Sequence, residues 1–589
     1  MRGAMSDILS NKFIPFPHTN ALGPQTVPSS IKSSFPENNY ISHHGKLQQL
    51  SRQPIRHAIP PSTRRSFARQ RRRAGKCQAG RQYNAKVSHA LELIDDSMLT
   101  SDASNASDAD NLPTNLYPSI TTANHPNLDQ FASSHLINFG TTFLPDLIIS
   151  ASHLSLFTAP SPGSSSPYGR SITDWTSGQM SSLLGHSHPE IVSVIQSHAS
   201  SLDHLFSGML SPPVVNLAKR LTSVLPDGLD RTMFLSTGGE SNEAAIKMAK
   251  TYTGKWEVVG LGASWHGVTA QASSVQYHAG RRVGWPLVPG GLMLPSPNAY
   301  RCHEGFRRKK DSGNANKNGL NSAGTEEEEW EYDWETEMLY GWRLIDQQSC
   351  GSLAAVIVEP IQSSGGMHVL PPGYLRRLKI ECEKREMLLI VDEAQTGIGR
   401  TGEMIAVNHD GVVPDILTLS KTLGNGLPLS AVVTSHAIAD VCAERDFLFY
   451  TTHVNDPLPA AVGDKVLEIV VREDLVSHAR QMGDILHSGL NQLKKRYACI
   501  GDVRGRGLMA GMEIVEDRRK GKEPGLELAK KIGDRAYELG LWCNLSTHPS
   551  FGGTFRIAPP ITISEEQVRE GLGILEEAFR GVEGSLPLY

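Results

Sequence analysis

Apolar positions along this chain follow two patterns. Between about residues 350 and 425, short unbroken apolar runs each end in a polar turn: AAVIVEP at 354–360, LLIVDEA at 388–394 and DILTLSK at 415–421. Unbroken runs of this length are typical of strands covered on both faces, as in a parallel sheet. They alternate with helical stretches at 242–252 and 375–386, so the pattern predicts βαβ units with helices on both faces of the sheet. From 456 to 495 the apolar positions take the helical period and predict long amphipathic helices. Beyond them, CIGDVRGRGLMAGMEIV reads as strand, glycine turn and strand. FRIAPPITISEEQVREGLGILEEAF reads as strand, loop and helix, with Ser564 and Gln567 at capping-box spacing. The fold class is therefore α/β, with a large, mostly parallel sheet domain over 180–455 and an interdomain helix and smaller α+β domain over 456–589.

Composition changes this picture mainly at the N-terminus. The chain has 589 residues, 39% of them hydrophobic, enough for a sizeable core. A net charge of -4 gives no global attraction to nucleic acid or to an anionic membrane. No apolar run approaches the roughly 18 residues of a membrane span. The seven cysteines, Cys77, Cys302, Cys350, Cys382, Cys442, Cys499 and Cys543, show no CxxC spacing, which argues against a disulfide framework or structural zinc. An intracellular location follows, the cytoplasm favoured. Residues 1–80 hold only Asp7 and Glu37 against arginines that include Arg64, Arg65, Arg69, Arg71, Arg72 and Arg73. That composition fits a mitochondrial transit peptide or a disordered basic tail. With the Ser-, Asn-, Asp- and Pro-rich stretch 98–126, it sets residues 1–126 apart as extension and linker. Residues 301–334 carry a basic run, a Gly/Asn segment and the block Glu326–Glu329, and read as a charged surface insertion.

The chemistry lies where the apolar runs end. Asp392 and Lys421 each follow a predicted buried strand, so both can face one crevice at the carboxyl edge of the sheet. A lysine amine that bonds an aldehyde, beside a carboxylate that keeps a pyridine nitrogen protonated, suits pyridoxal 5'-phosphate (PLP). Upstream, FLSTGGESNEAAIKMAK places a glycine turn at Thr237, Gly238 and Gly239 before a helix. Free amides at such a helix start suit a phosphate.

With these pieces in this order, the chain resembles the class III (subgroup II) aminotransferases of PLP fold type I, from about Gly140 to about Arg580. Within the family it is most similar to the 2,2-dialkylglycine decarboxylases. The carriers are SGQMSSLLGHSHPEIVSVI at 177–195, LDHLFSGMLSPPVV at 202–215, SWHG at 264–267, EPIQSSGG at 359–366, DEAQTGIGRTG at 392–402, LFYTTHVNDPLPAA at 448–461, IGDVRGRG at 500–507 and FRIAPP at 555–560. General members usually read DEVQ where this chain has DEAQ, and Tyr-His or Phe-His where it has Trp265-His266.

The resemblance implies a role for each matched residue. Lys421 would bond the cofactor and move protons, and Asp392 would pair with the pyridinium. Thr237, Gly238, Gly239 and Asn242 match the phosphate loop, with Tyr450 and Thr452 reaching the phosphate from a partner subunit. Trp265 and Ala394 would flank the ring, with His266 beside it, and Gln395 would bond its phenolic oxygen. Arg556, Gln179 and Ser364 would contact substrate, Gln179 at the carboxylate about to leave. Leu205, Ser207, Thr452, Val454 and Asp456 match a site for an alkali metal ion, K+ or Na+. Residues 127–179 would complete the small domain, and the enzyme would be a homodimer or tetramer acting on small amino and 2-oxo acids. The implied reaction is decarboxylation of a dialkylglycine coupled to transamination of pyruvate. The alternatives are an ω-amino-acid or amine:pyruvate aminotransferase and, outside catalysis, a silent scaffold relative.

Overall fold

The structure is a computed structural model that describes residues 133–588, except 138–139, 141–142, 161–165, 167, 278–286, 310–329, 549–551, 583 and 586. The extension and linker expected at 1–126 lie outside the described residues, as does the middle of the 301–334 insertion. The described ends of that insertion meet as a short antiparallel ladder, Arg307–Lys309 against Trp330–Tyr332.

Seven strands form the central sheet: β1 (Arg231–Leu235), β2 (Glu257–Leu261), β3 (Gly291–Leu294), β4 (Leu353–Val358), β5 (Leu388–Asp392), β6 (Ile416–Leu419) and β7 (Ser430–Thr434). Their order is β1-β7-β6-β5-β4-β2-β3. β7 runs antiparallel to both neighbours, and the other adjacent pairs are parallel. Every residue of β4, β5, β6 and β7 is buried, as expected of strands covered on both faces. Alternation sorts their side chains between two cores. Leu388 and Ile390 pack with Ala245 and Ile246 of helix α1 (Gly238–Thr253), whereas Leu389 and Val391 join the cluster that holds Val462 and Val466 of α2 (Pro457–Arg472).

Helix α1 begins at the glycines because a capping box starts it there. The Thr237 side chain accepts from the Glu240 amide, and the Glu240 carboxylate accepts from the amides of Ser236 and Thr237. Gly254 ends the helix in the left-handed conformation. The helical stretch expected at 456–495 is two helices, α2 and α3 (Leu475–Arg496), joined through Asp474 at φ 47°. Ser564 and Gln567 form the expected capping box on helix Glu565–Arg580.

Two four-stranded sheets lie outside the central one. Ile500–Arg506, Met509–Ile514, Gly552–Ile557 and Asn544–His548 form an antiparallel sheet. Ile148–Ser152, Ser155–Thr158 and Ser171–Asp174 form another, to which Leu541–Trp542 adds in parallel. Among the described residues no helix is long and apolar enough to cross a membrane.

Candidate active site

The carboxyl ends of β4, β5 and β6 converge on a cavity of about 510 Å³ whose lining includes Glu359, Asp392 and Lys421. Parallel register sets Asp392 opposite Thr418, three residues before Lys421. Lys421 itself has φ 37°, a left-handed value that a lysine adopts only where its surroundings impose it.

Asp392 is held by three donors. Its Oδ2 accepts from His266 Nδ1 (2.9 Å) and Asn242 Nδ2 (2.8 Å), and its Oδ1 from the Ala394 amide (3.1 Å). Burial pushes its pKa up, but His266, Lys421 and Asn242 outweigh burial and hold the carboxyl below its ordinary range. Burial lowers the pKa of Lys421, reinforced by Arg556 and opposed by Asp392 and Glu359. A buried amine with a depressed pKa can be neutral and nucleophilic. Glu393, next in sequence, turns the other way. It accepts from Thr396 Oγ1 and the amides of Ala406 and Val407, fastening the loop that follows β5.

The α1 start and loop 265–269 close one side of the cavity, which Thr237, Gly238, Gly239, Trp265, His266 and Thr269 all line. The loop lies so close to the helix that a Cβ on Gly267 would sit 2.5 Å from Gly239 Cα. Trp265 donates its amide to Glu359 Oε1 at 2.8 Å. Asn242, expected with the phosphate loop, sends its side chain to Asp392 and the His266 carbonyl, while its Oδ1 accepts from Thr418. It also lines the cavity beside the glycines, so it both orients the carboxylate and borders the helix start.

Ala394 and Gln395 line the cavity, and so does Gln179 on the opposite element. The SGQM turn is irregular, with Gly178 at φ 67°, and Asp174 ties it down by accepting from the amides of Thr176 and Gly178. Arg556, on strand Gly552–Ile557, donates to Ser363 Oγ (2.7 Å) and Asn544 Oδ1 (2.9 Å), with Nη2 3.4 Å from Gln395 Oε1. Ser364, expected in the pocket, is buried outside the cavity lining and its carbonyl accepts from Ser546. The neighbouring Ser363 accepts from the arginine.

Tyr450 and Thr452 are exposed and stand outside the cavity of their own chain. The residues matched to the alkali-ion site lie on two loops that the structure brings together. Ser207 Oγ donates to the Thr451 carbonyl at 3.0 Å, Leu205 and Val454 flank it in sequence, and the Asp456 carboxylate lies between His204 and His453.

Glu359, Ser363, Asp174 and Asn544 were not singled out from the sequence. Glu359 could have been, because it follows the run AAVIV as Asp392 follows LLIV. Its pKa is raised to about 7, by burial first and by Asp392 second, against His266, the Trp265 amide and Lys421.

The residues present fit PLP. A buried anionic carboxylate, a buried amine, a glycine-lined helix start and an aromatic side chain share one cavity. Two buried polar atoms there, His266 Nε2 and Ser420 Oγ, have no hydrogen-bond partner among the described residues.

Comparison with known proteins agrees. The family model for Aminotransferase class-III matches residues 165–579. An uncharacterized aminotransferase of Schizosaccharomyces pombe is 48% identical over 76% of this chain and 93% of its own length. A leucine/methionine racemase of Thermococcus litoralis is 34% identical over 70% of this chain and 88% of its own. Among solved structures, an (S)-enantioselective omega-transaminase from Thermomicrobium roseum superposes with a TM-score of 0.67 at 27% identity, covering 77% of this chain and 98% of that one. The chain belongs to the class III aminotransferases, PLP-dependent enzymes of fold type I.

Proposed function

We propose that this aminotransferase decarboxylates 2,2-dialkylglycines such as 2-aminoisobutyrate, releasing a ketone and CO2, and passes the amino group to pyruvate. The observation that carries this reading is Gln179 in the lining of the cavity that Lys421 and Trp265 also line. Bound PLP supplies an electron-withdrawing ring that labilises whichever Cα bond stands perpendicular to its plane.

The side chains select that bond. Gln179 hydrogen-bonds the carboxylate that departs, and Arg556, whose planar fork suits a carboxylate, anchors the acid group of the second substrate. A Cα with two alkyl groups has no hydrogen to lose, so holding its carboxylate perpendicular leaves loss of CO2 as the available path. Lys421 would hold the cofactor through its amine and would supply the group that moves protons. Asp392 keeps the pyridine nitrogen protonated; at about 4 Å and an effective dielectric near 20, a unit-charge pair is worth on the order of 4 kcal/mol. Trp265 and Ala394, in the cavity lining, would flank the ring, and the helix-start amides of Gly238 and Gly239 would take the phosphate. In a homodimer, Tyr450 and Thr452 of the partner subunit complete that phosphate site.

A second reading, plain transamination or racemisation through loss of the Cα proton, is favoured by the leucine/methionine racemase and omega-transaminase relatives. Assay of CO2 and acetone from 2-aminoisobutyrate, with and without pyruvate, separates the two. Sustained CO2 release with one alanine per CO2 supports the first. Conversion of L-alanine without any CO2 from 2-aminoisobutyrate selects the second. Gln179→Ala should depress CO2 release ten- to hundredfold, the worth of a hydrogen bond to a charged group at about 1.5–3 kcal/mol. The alanine–pyruvate half-reaction should fall much less, and equal losses would remove the assigned role.

A further inference from the structure

Helix Pro212–Ser223 packs on α2, which brings the loop before each together. His204 comes from the first loop, and His453 and Asp456 from the second. His204 Nδ1 lies 2.5 Å from Asp456 Oδ1, and His453 Nδ1 2.5 Å from Asp456 Oδ2. The ligand-capable atoms of the three residues all lie within 4.8 Å of one another, and the imidazole centroids are 5.0 Å apart.

Asp456 occupies the N-cap of α2, yet among the described residues its side chain caps none of the helix amides. Pro459, at the third helical position, removes one of the two amides that an N-cap side chain can take, and the other, on Leu458, is left uncapped. The carboxylate is thereby left for the two imidazoles. Within one chain its side chain is 10% exposed while those of His204 and His453 are 44% and 59% exposed, so the cluster has a rooted acid beneath two outlying imidazoles.

Two imidazoles and a carboxylate are the ligand set of a borderline divalent ion. Tetrahedral bonds of about 2.0–2.1 Å hold ligand atoms roughly 3.3 Å apart, within reach of these side chains after small rotations. The Asp456 carboxylate faces the two imidazole nitrogens, a mixed nitrogen and oxygen set that suits a borderline dication better than an alkali ion, whose ligands are oxygens.

We propose that His204, His453 and Asp456 form a binding site for a transition-metal dication such as Zn2+, with a coordination position that these three side chains leave open. The metal replaces the two histidine–aspartate contacts and ties loop 203–207 to loop 451–456. Because Tyr450 and Thr452 are proposed to reach the partner's cofactor, the site lies beside that seam, and the test uses the assembled enzyme.

Untagged, chelator-treated holoenzyme is titrated with Zn2+ against a chromophoric chelator, and in parallel with Co2+ followed by its ligand-field absorption. One tight equivalent of Zn2+ per chain and four-coordinate Co2+ bands are expected. His204→Gln and His453→Gln should each weaken Zn2+ by about 100-fold or more, since even outer-shell changes at such sites cost 10–100-fold. His198→Gln, on helix Pro189–Ala199, should leave affinity unchanged. Both histidines are exposed, so unchanged melting curves are expected for both ligand variants. Absence of stoichiometric binding, or equal affinity in wild type and both ligand variants, overturns the proposal and leaves an ion-paired surface cluster. Neither outcome depends on whether the enzyme decarboxylates.

Discussion

Two carboxyls end adjacent strands and meet opposite fates. Register pairs Val391 of β5 with Val358 of β4, so Asp392 and Glu359 are the next residues on neighbouring parallel strands. They are almost equally removed from water, at 4% and 5% exposure. Yet Asp392 is held below the ordinary range and Glu359 is pushed up to about 7. Donors make the difference. Asp392 takes His266, Asn242 and the Ala394 amide, whereas Glu359 takes the Trp265 amide. Once one of two neighbouring acids is charged, the other resists ionising, so the pair divides into a fixed anion and a group poised near neutrality. At the proposed site the fixed anion meets the cofactor nitrogen, and the poised one stands near Lys421.

The largest test of this division removes the amine that both carboxyls feel. Lys421 lowers the pKa of Asp392 and of Glu359. Lys421→Ala should abolish turnover, with less than about 1% remaining, since a covalent role is worth several kcal/mol of barrier. PLP should still bind through phosphate and ring contacts, without the visible band of the lysine-linked cofactor. Substantial residual turnover in steady-state assays would take the lysine out of the chemistry.

A smaller but still severe loss is expected from Asp392→Asn, which makes the fixed anion neutral. An amide cannot hold the pyridine nitrogen protonated, and a pair worth on the order of 4 kcal/mol corresponds to roughly a thousandfold in rate. Near wild-type rates would mean that the two strand ends are interchangeable.

The sequence made much of this edge readable. LLIVD and DILTLSK announce buried strands ending in chemistry, and both strands and the Asp392–Lys421 proximity stand in the structure. Thr237 to Glu240 carry a local signature for the α1 start, because capping is decided within four residues. What resisted reading depends on direction. Asn242 follows the glycine turn, but a helical rotation of its side chain carries it to Asp392. Ser363 and Ser364 are indistinguishable as letters, and only the folded turn shows that Ser363 meets Arg556. Asp456 meets His204 across 252 positions of sequence, and only the packing of two helices shows that its carboxylate faces imidazoles. Glu359 was legible by the same strand-end logic as Asp392, but its protonation depends on how many donors the fold supplies.

The smallest effect, and the one that addresses the comparison most directly, is that of Glu359→Gln. The glutamine keeps the shape of the protonated carboxyl and cannot ionise, so activity near pH 6 should change by less than about tenfold. The signature lies in stability. A folded pKa of about 7 against an ordinary value of 4.5 means that the native state binds the proton more tightly than the unfolded chain. The associated stability is complete below about pH 4.5 and is lost as pH rises through about 7. Between pH 5 and pH 8, cofactor-free wild type should therefore lose on the order of 2 kcal/mol more than Glu359→Gln in denaturant unfolding. Other titrating groups are common to both proteins and cancel in that difference. Parallel pH profiles would show that Glu359 is ionised throughout, as Asp392 is, and the division between the two strand ends would collapse.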